Sequence, residues 1–184
     1  MTTAAIVLAA GGGARFVGAT HKLLAPMADG TTIVERAVAA AVAADLDHVY
    51  VVAGAVDLPP LEGVTVVHNA RWAEGQATSL QAGLAAAAGH DAVVVGLGDQ
   101  PGVLPEAWRL VADATETPIA VATYDGKRAN PVRLGAAVWP LLPTEGDEGA
   151  RTLLRVRPEL VTEVPCPGSG ADVDTLEDLE RWSS

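Results

Sequence analysis

Ala4-Ala5-Ile6-Val7-Leu8-Ala9-Ala10-Gly11-Gly12-Gly13-Ala14-Arg15-Phe16, followed by Lys22, is the stretch on which the reading of this chain turns. An apolar run that breaks into three consecutive glycines and then presents two cations describes a buried strand opening onto a loop that can hold a polyanion. Without a Cβ, Gly11 to Gly13 can turn sharply and point their N–H groups at a phosphate. Arg15 can fork two phosphate oxygens and Lys22 adds a point charge. The stretch therefore reads as a nucleoside triphosphate site, against the plainer alternative of a strand-to-loop turn with solvated cations. Two other phosphate motifs are excluded by spacing. No Gly-Lys-Ser/Thr follows, as a Walker A loop requires. In Gly11-x-Gly13-x-x the third glycine of a dinucleotide fingerprint is replaced by Phe16, and no strand-end carboxylate follows about 20 residues on.

Working outward, the 184 residues fit one domain spanning 1–184, and 49% hydrophobic content suffices for a sizeable core. Aromatic residues make up only 4%, so Ala, Val and Leu must build that core, as in sheets covered by helices. A formal net charge of −11 argues against nucleic acid or an anionic membrane as the partner. A small anion must then be drawn in by local cations. The single Cys166 permits no internal disulfide and fits a reducing cytoplasm. The N-terminal apolar run ends after about eight residues, too short for a signal or a span.

The periodicity predicts strands at 3–10, 48–54, 64–67, 91–97 and 117–123, separated by helices. Thr32-Ile33-Val34-Glu35 carries a capping-box pattern for the first helix, which runs to about Ala44. A second helix is expected from Ala77 to Ala88, and a third after Pro105, with Trp108 and Leu110 on its inner side. Helical crossovers of this length imply a mostly parallel sheet, and the fold class is a three-layer α/β/α sandwich with a Rossmann-like sheet. Beyond Asp125 the alternation weakens. Asn130 to Leu142 and Gly149 to Val156 read as short helices, Leu160 to Val164 as a strand, and Thr175 to Trp182 as a closing helix.

Ligands of open parallel sheets gather at the carboxyl ends of the strands. Asp99 ends the fourth strand at the same edge as Gly11 to Arg15, where a lone carboxylate can hold Mg²⁺ with water and phosphate oxygens, or can cap the next helix. Asp172 and Asp174 offer a further pair; one of them can complete a metal site if the tail returns to this edge, while from spacing alone both read better as caps of the helix that follows. Asn69, Gly75, Gln76 and Ser79 stand where a strand turns into a helix, and can read a base or simply form the turn. Arg128, Asn130, Gly146, Asp147 and Arg151 make a polar cluster, with Arg151 available to a second anion, although on the residues alone a solvated surface is the better account. The four histidines, His21 among them, show no metal-ligand spacing and read as surface or strand-end residues. No Gly-x-Ser-x-Gly elbow is present.

Taken together, Leu8 to Arg15 with Lys22-Leu23-Leu24, Asn69 with Trp72 and Glu74 to Leu80, Leu97-Gly98-Asp99-Gln100-Pro101, Arg128-Ala129-Asn130-Pro131-Val132, Gly146 to Arg151, and Asp172 to Leu179 resemble the MobA-like nucleotidyltransferases. Within that group the series is most similar to the molybdenum cofactor cytidylyltransferases. The resemblance implies catalysis by Arg15, Lys22 and Asp99. It implies CTP, or GTP, held by Leu8, Ala9, Ala10, Gly11, Gly12, Gly13, Arg15, Lys22, Asn69, Gln76, Ser79 and Asp99, with Mg²⁺ on Asp99 and Asp172. The molybdopterin-type phosphorylated acceptor would lie against Gln100, Asn130 and Arg151, and a molybdoenzyme or its chaperone would receive the product. Three alternatives stay open: a guanylyltransferase or a transferase for another phosphorylated acceptor, an NAD(P)H-dependent oxidoreductase as some relatives are labelled, and a non-catalytic carrier of molybdenum cofactor. Two departures stand out: Lys22 follows Arg15 about two positions later than is usual in the family, and Ala129 replaces a common glycine.

Overall fold

The computed structural model describes residues 1–14 and 16–183, without the side chain of Ser183. The first strand, β1 (Thr3–Ala9), is buried on both faces, as its unbroken apolar run requires. Thr32 caps α1 (Ile33–Ala43): its hydroxyl accepts the Glu35 N–H while the Glu35 carboxylate accepts the Thr32 N–H, so two helix-end donors are satisfied reciprocally. The chain continues through β2 (His48–Ala53), β3 (Thr65–His68), α2 (Gln76–Ala86), β4 (Ala92–Leu97) and α3 (Pro105–Asp113).

The second half holds β5 (Ile119–Tyr124), β6 (Lys127–Gly135), α4 (Arg151–Val156), β7 (Val161–Pro165) and α5 (Leu176–Ser183). Among the described residues the seven strands form one sheet in the order β3-β2-β1-β4-β6-β5-β7. All neighbours are parallel except those of β6, which runs antiparallel to β4 and β5. On one face Val34, Val38 and Ala41 of α1 and Ala107, Trp108 and Val111 of α3 pack on Ala5, Val7 and Val94. On the other, Leu80 and Leu84 of α2 and Leu153 and Leu154 of α4 pack on Ile6, Leu8 and Val95. The three-layer α/β/α sandwich is thus observed.

Two expectations are corrected. Asn130 to Leu142 is not a helix: residues up to Gly135 belong to β6, and a short 3₁₀ turn, Ala136–Leu141, follows. Asp125 and Gly126 have φ of 50° and 75°, a two-residue turn of the kind that joins twisted antiparallel strands, so Tyr124 leads directly back into Lys127. Asn130 and Pro131 fall where the register shifts, between the pairs Val121–Val132 and Ala122–Ala129, which is how a proline sits within this strand. Leu110 also faces outward at 38% exposure, whereas Trp108 is buried. Trp108 lies so close to the sheet that a Cβ on Gly96 would meet its ring at 2.5 Å. No helix among the described residues is long and apolar enough to cross a membrane.

Candidate active site

Strand order reverses between β1 and β4, which lie side by side with Leu8 opposite Leu97. The carboxyl ends of these two strands open into a cavity of about 490 Å³. It is lined by the segment from Leu8 to Gly13 and by Asp99, Asp172 and Asp174. Gly98 donates its N–H to the Leu8 carbonyl at 2.9 Å, so the β1 and β4 exits are tied together immediately before they diverge. The tail returns to the same edge, because the Val173 N–H donates to the Asp99 carbonyl at 2.9 Å.

Lys22 begins a short 3₁₀ turn, Lys22–Leu24, and reaches across the cavity. Its Nζ lies 2.5 Å from Asp99 Oδ2 and 3.1 Å from Asp174 Oδ1, and all three side chains are less than a quarter exposed. Burial opposes the lysine's charge, but the carboxylates of Asp99 and Asp174 outweigh it and raise its pKa above the ordinary lysine value. A cation is therefore fixed at this edge, and the loop brings Lys22 into the cavity despite its extra length.

The carboxylates show what else the site can hold. Asp99 Oδ1 is buried with no hydrogen-bond partner among the described residues. Asp172 has its pKa raised, first by burial and then by the charge of Asp99, although a hydrogen bond from Gln100 works the other way. An orphaned carboxylate oxygen beside a second carboxyl that resists ionisation is an arrangement that a divalent cation would relieve. Among the described residues no group of three or more His, Cys, Asp or Glu side chains surrounds a single point. A cation here would thus draw most of its shell from phosphate and water, as Mg²⁺ commonly does.

The remaining predicted residues divide. Gln76, Ser79 and Arg151 line the cavity, as do Trp72 and Asp147. Asn130 lies instead in a narrow side pocket of about 40 Å³, beside Leu80, Val132 and Leu154, which Gln76 and Arg151 also line. Asn69 is 6% exposed and does not face the cavity: its Nδ2 donates to the hydroxyls of Thr78 and Ser79, and its Oδ1 accepts the Arg71 N–H. These hydrogen bonds are those of the turn-forming alternative, with the amide engaged by the β3–α2 connection. Gln100 is 3% exposed, and its Nε2 donates to the Gly170 carbonyl at 2.9 Å and to Asp172 Oδ1 at 2.7 Å. It presents no surface to an acceptor and holds Asp172 instead. Arg128, on β6, pairs across β5 with Glu163 of β7 rather than joining the polar cluster. Arg15 lies outside the described residues. Asp174, one of the two tail carboxylates offered for the metal site, pairs with Lys22; for His21 the one signal in the sequence is that it adjoins Lys22.

The MobA-like NTP transferase domain matches residues 5–163, and the chain belongs to this family of nucleotidyltransferases. A nicotine blue oxidoreductase of Paenarthrobacter nicotinovorans is 33% identical, over 96% of this chain and 94% of its own. The purine catabolism protein PucB of Bacillus subtilis strain 168 is 31% identical, over 95% of this chain and 93% of its own. Among solved structures, Rv0371c from Mycobacterium tuberculosis H37Rv superposes with a TM-score of 0.82 at 30% identity, covering 100% of this chain and 97% of that one. The manganese complex of Rv0371c superposes at 0.80 with 28% identity, covering 100% and 98%.

Proposed function

We propose that this MobA-like NTP transferase is a Mg²⁺-dependent cytidylyltransferase that transfers CMP from CTP to the phosphate of a molybdopterin-type cofactor and releases pyrophosphate. The observation that carries the proposal is the meeting of Lys22 with Asp99 and Asp174 in a cavity that the glycine loop also lines. The similarity of the motif series to the molybdenum cofactor cytidylyltransferases supports the choice of CTP and acceptor. The manganese complex of Rv0371c supports the use of a divalent ion.

In this reading Gly11 to Gly13 cradle the phosphates with backbone N–H groups and Arg15 forks them. Lys22 turns from the carboxylates toward the triphosphate. Asp99 and Asp172 would hold Mg²⁺, which supplies positive charge to the reacting phosphates. An oxygen of the acceptor's phosphate monoester forms a bond to the α-phosphorus while the bond from that phosphorus to the bridging oxygen of the leaving pyrophosphate breaks. The attacking oxygen is already anionic, so no side chain need remove a proton; positioning and charge carry the catalysis. Arg151, at the junction of the cavity and the side pocket, is assigned to the acceptor phosphate, with Asn130 deeper in that pocket.

The name of one relative favours a second reading, an oxidoreductase using a nicotinamide cofactor. Phe16 in place of the third fingerprint glycine weighs against it. A thermal-shift panel of CTP, GTP, ATP, UTP and NADPH, each with and without Mg²⁺, separates the readings because a ligand of the native state raises its melting temperature. Selective stabilisation by CTP with Mg²⁺, followed by pyrophosphate release on adding molybdopterin, is expected. Stabilisation by NADPH alone would overturn the transferase reading, and selective stabilisation by GTP would replace the base. Cofactor binding without pyrophosphate release from any nucleotide would favour a carrier.

A further inference from the structure

His21 lies outside the cavity lining, between the glycine loop and the turn that carries Lys22. Its Nδ1 accepts the N–H of Leu23 at 3.3 Å, which caps the Lys22–Leu24 turn. Its Nε2 stands 3.0 Å from the carbonyl oxygen of Gly11. A neutral imidazole has one donor and one acceptor nitrogen. The Leu23 N–H can only donate, so Nδ1 is the bare nitrogen and Nε2–H donates to Gly11. The same ring presses on Gly13, where φ is +61° and an added Cβ would sit 3.1 Å from Nε2. One side chain therefore grips both the loop and the base of Lys22.

We infer that His21 is a positioning residue of the phosphate loop, which it holds with the Gly11 carbonyl turned away from the site and in fixed register with Lys22. The inference rests on the nucleotidyltransferase reading above. Across a planar trans peptide the Gly11 carbonyl and the Gly12 N–H point in opposite directions. Drawing that oxygen toward a ring outside the cavity removes a group that would repel phosphate and leaves the Gly12 N–H facing the other way. A loop of inward N–H groups is what an anion requires, and glycine alone does not enforce it, because glycine adopts many conformations about equally well. The longer Phe16-to-His21 loop thereby acquires a purpose: it delivers the imidazole to Gly11 and Lys22 to the carboxylates.

The test compares wild type with His21→Ala, His21→Gln and His21→Asn by calorimetric titration with CTP and with GTP, each with Mg²⁺, and by steady-state pyrophosphate release. Gln places a carboxamide N–H near the position of Nε2, whereas Asn mimics the Nδ1 acceptor and falls short of Gly11. His21→Ala and His21→Asn are expected to raise the dissociation constant and KM roughly tenfold, with kcat changed less than about threefold, and His21→Gln to stay within about threefold of wild type. Nitrogen NMR of the wild-type imidazole should show the proton on Nε2. A proton on Nδ1, equal affinities in all four proteins, or equal weakening in all three variants would each overturn the inference. The NMR measurement on wild type decides even where a variant fails to fold. If wild type binds neither nucleotide, the transferase reading fails and the inference falls with it.

Discussion

Aspartates stand at both ends of the central sheet, and the two ends use them differently. At the amino edge Asp47 Oδ2 accepts the Thr3 N–H at 2.6 Å, and Asp91 Oδ2 accepts the Thr2 N–H at 2.7 Å and its hydroxyl at 3.2 Å. These carboxylates satisfy backbone donors at the start of β1 and are largely solvated. At the carboxyl edge Asp99 is mostly buried, keeps one oxygen without a partner among the described residues, and balances its charge against Lys22. An acid that completes a backbone contact stabilises the fold. An acid left under-satisfied beside a cation in a cavity is poised for a ligand, and its cost in desolvation is recovered only when that ligand arrives.

Removing Asp99 should give the sharpest break between the two edges. Asp99→Asn keeps the shape but removes the charge, and pyrophosphate release is expected to fall by a factor of about a hundred to a thousand or more, on the scale of a lost transition-state contact. Circular dichroism should show the fold retained. Near-wild-type turnover would place the chemistry elsewhere. Next in size is Gln100→Ala, which frees Asp172 without removing it. The Mg²⁺ concentration for half-maximal activity should rise roughly ten- to a hundredfold, as when an outer-shell partner of a metal ligand is lost. An unchanged Mg²⁺ dependence would assign Gln100 to the fold alone.

Asp47→Ala addresses the other edge. Losing the bond to Thr3 should lower the melting temperature by about 2–4 °C, as one modest interaction does in a protein of this size, while turnover stays at the wild-type level. A scanning calorimetry trace alongside the pyrophosphate assay checks both halves of that statement. A large loss of turnover would mean that the two edges are coupled through β1 rather than independent.

The same contrast explains what could be read in the residues alone. From β1 to β4 each element signals itself: runs of Val and Ala are buried on both faces, Thr32 and Glu35 cap a helix, and Gly11 and Gly98 end strands at one edge. The position of Asp99 beyond the switch point followed from that alternation. The second half is harder to read because β6 contains Asn130 and Pro131, which disguise a strand, and Asp125-Gly126 signals a hairpin only where both flanking runs read as strands. Local pattern also gives no sign of which way an amide points. Asn69 and Gln100 have the chemistry to bind a ligand, and only tertiary packing turns them inward to Ser79 and Asp172. His21 is illegible for the converse reason: its partner Gly11 is ten residues away across a loop whose path no periodicity specifies.

The smallest expected effect is the pH dependence contributed by Asp91 at the amino edge. The hydrogen bond from the Thr2 N–H, and then that from its hydroxyl, hold the Asp91 pKa below the ordinary carboxylate value. Because the folded-state value is the lower one, the unfolded chain binds the proton more tightly. The stability contributed is therefore complete above the ordinary carboxylate pKa of about 4 and is lost as the pH falls through the folded-state value. Asp91→Asn should flatten that part of the curve of melting temperature against pH and leave the region above about pH 5 displaced without a change of slope. A thermal melt series from neutral to acid pH on both proteins reads the difference. If the two curves stay parallel down to the acid limit, Asp91 is ionised equally in the folded and unfolded chain, and its contact with Thr2 contributes nothing that protonation can remove.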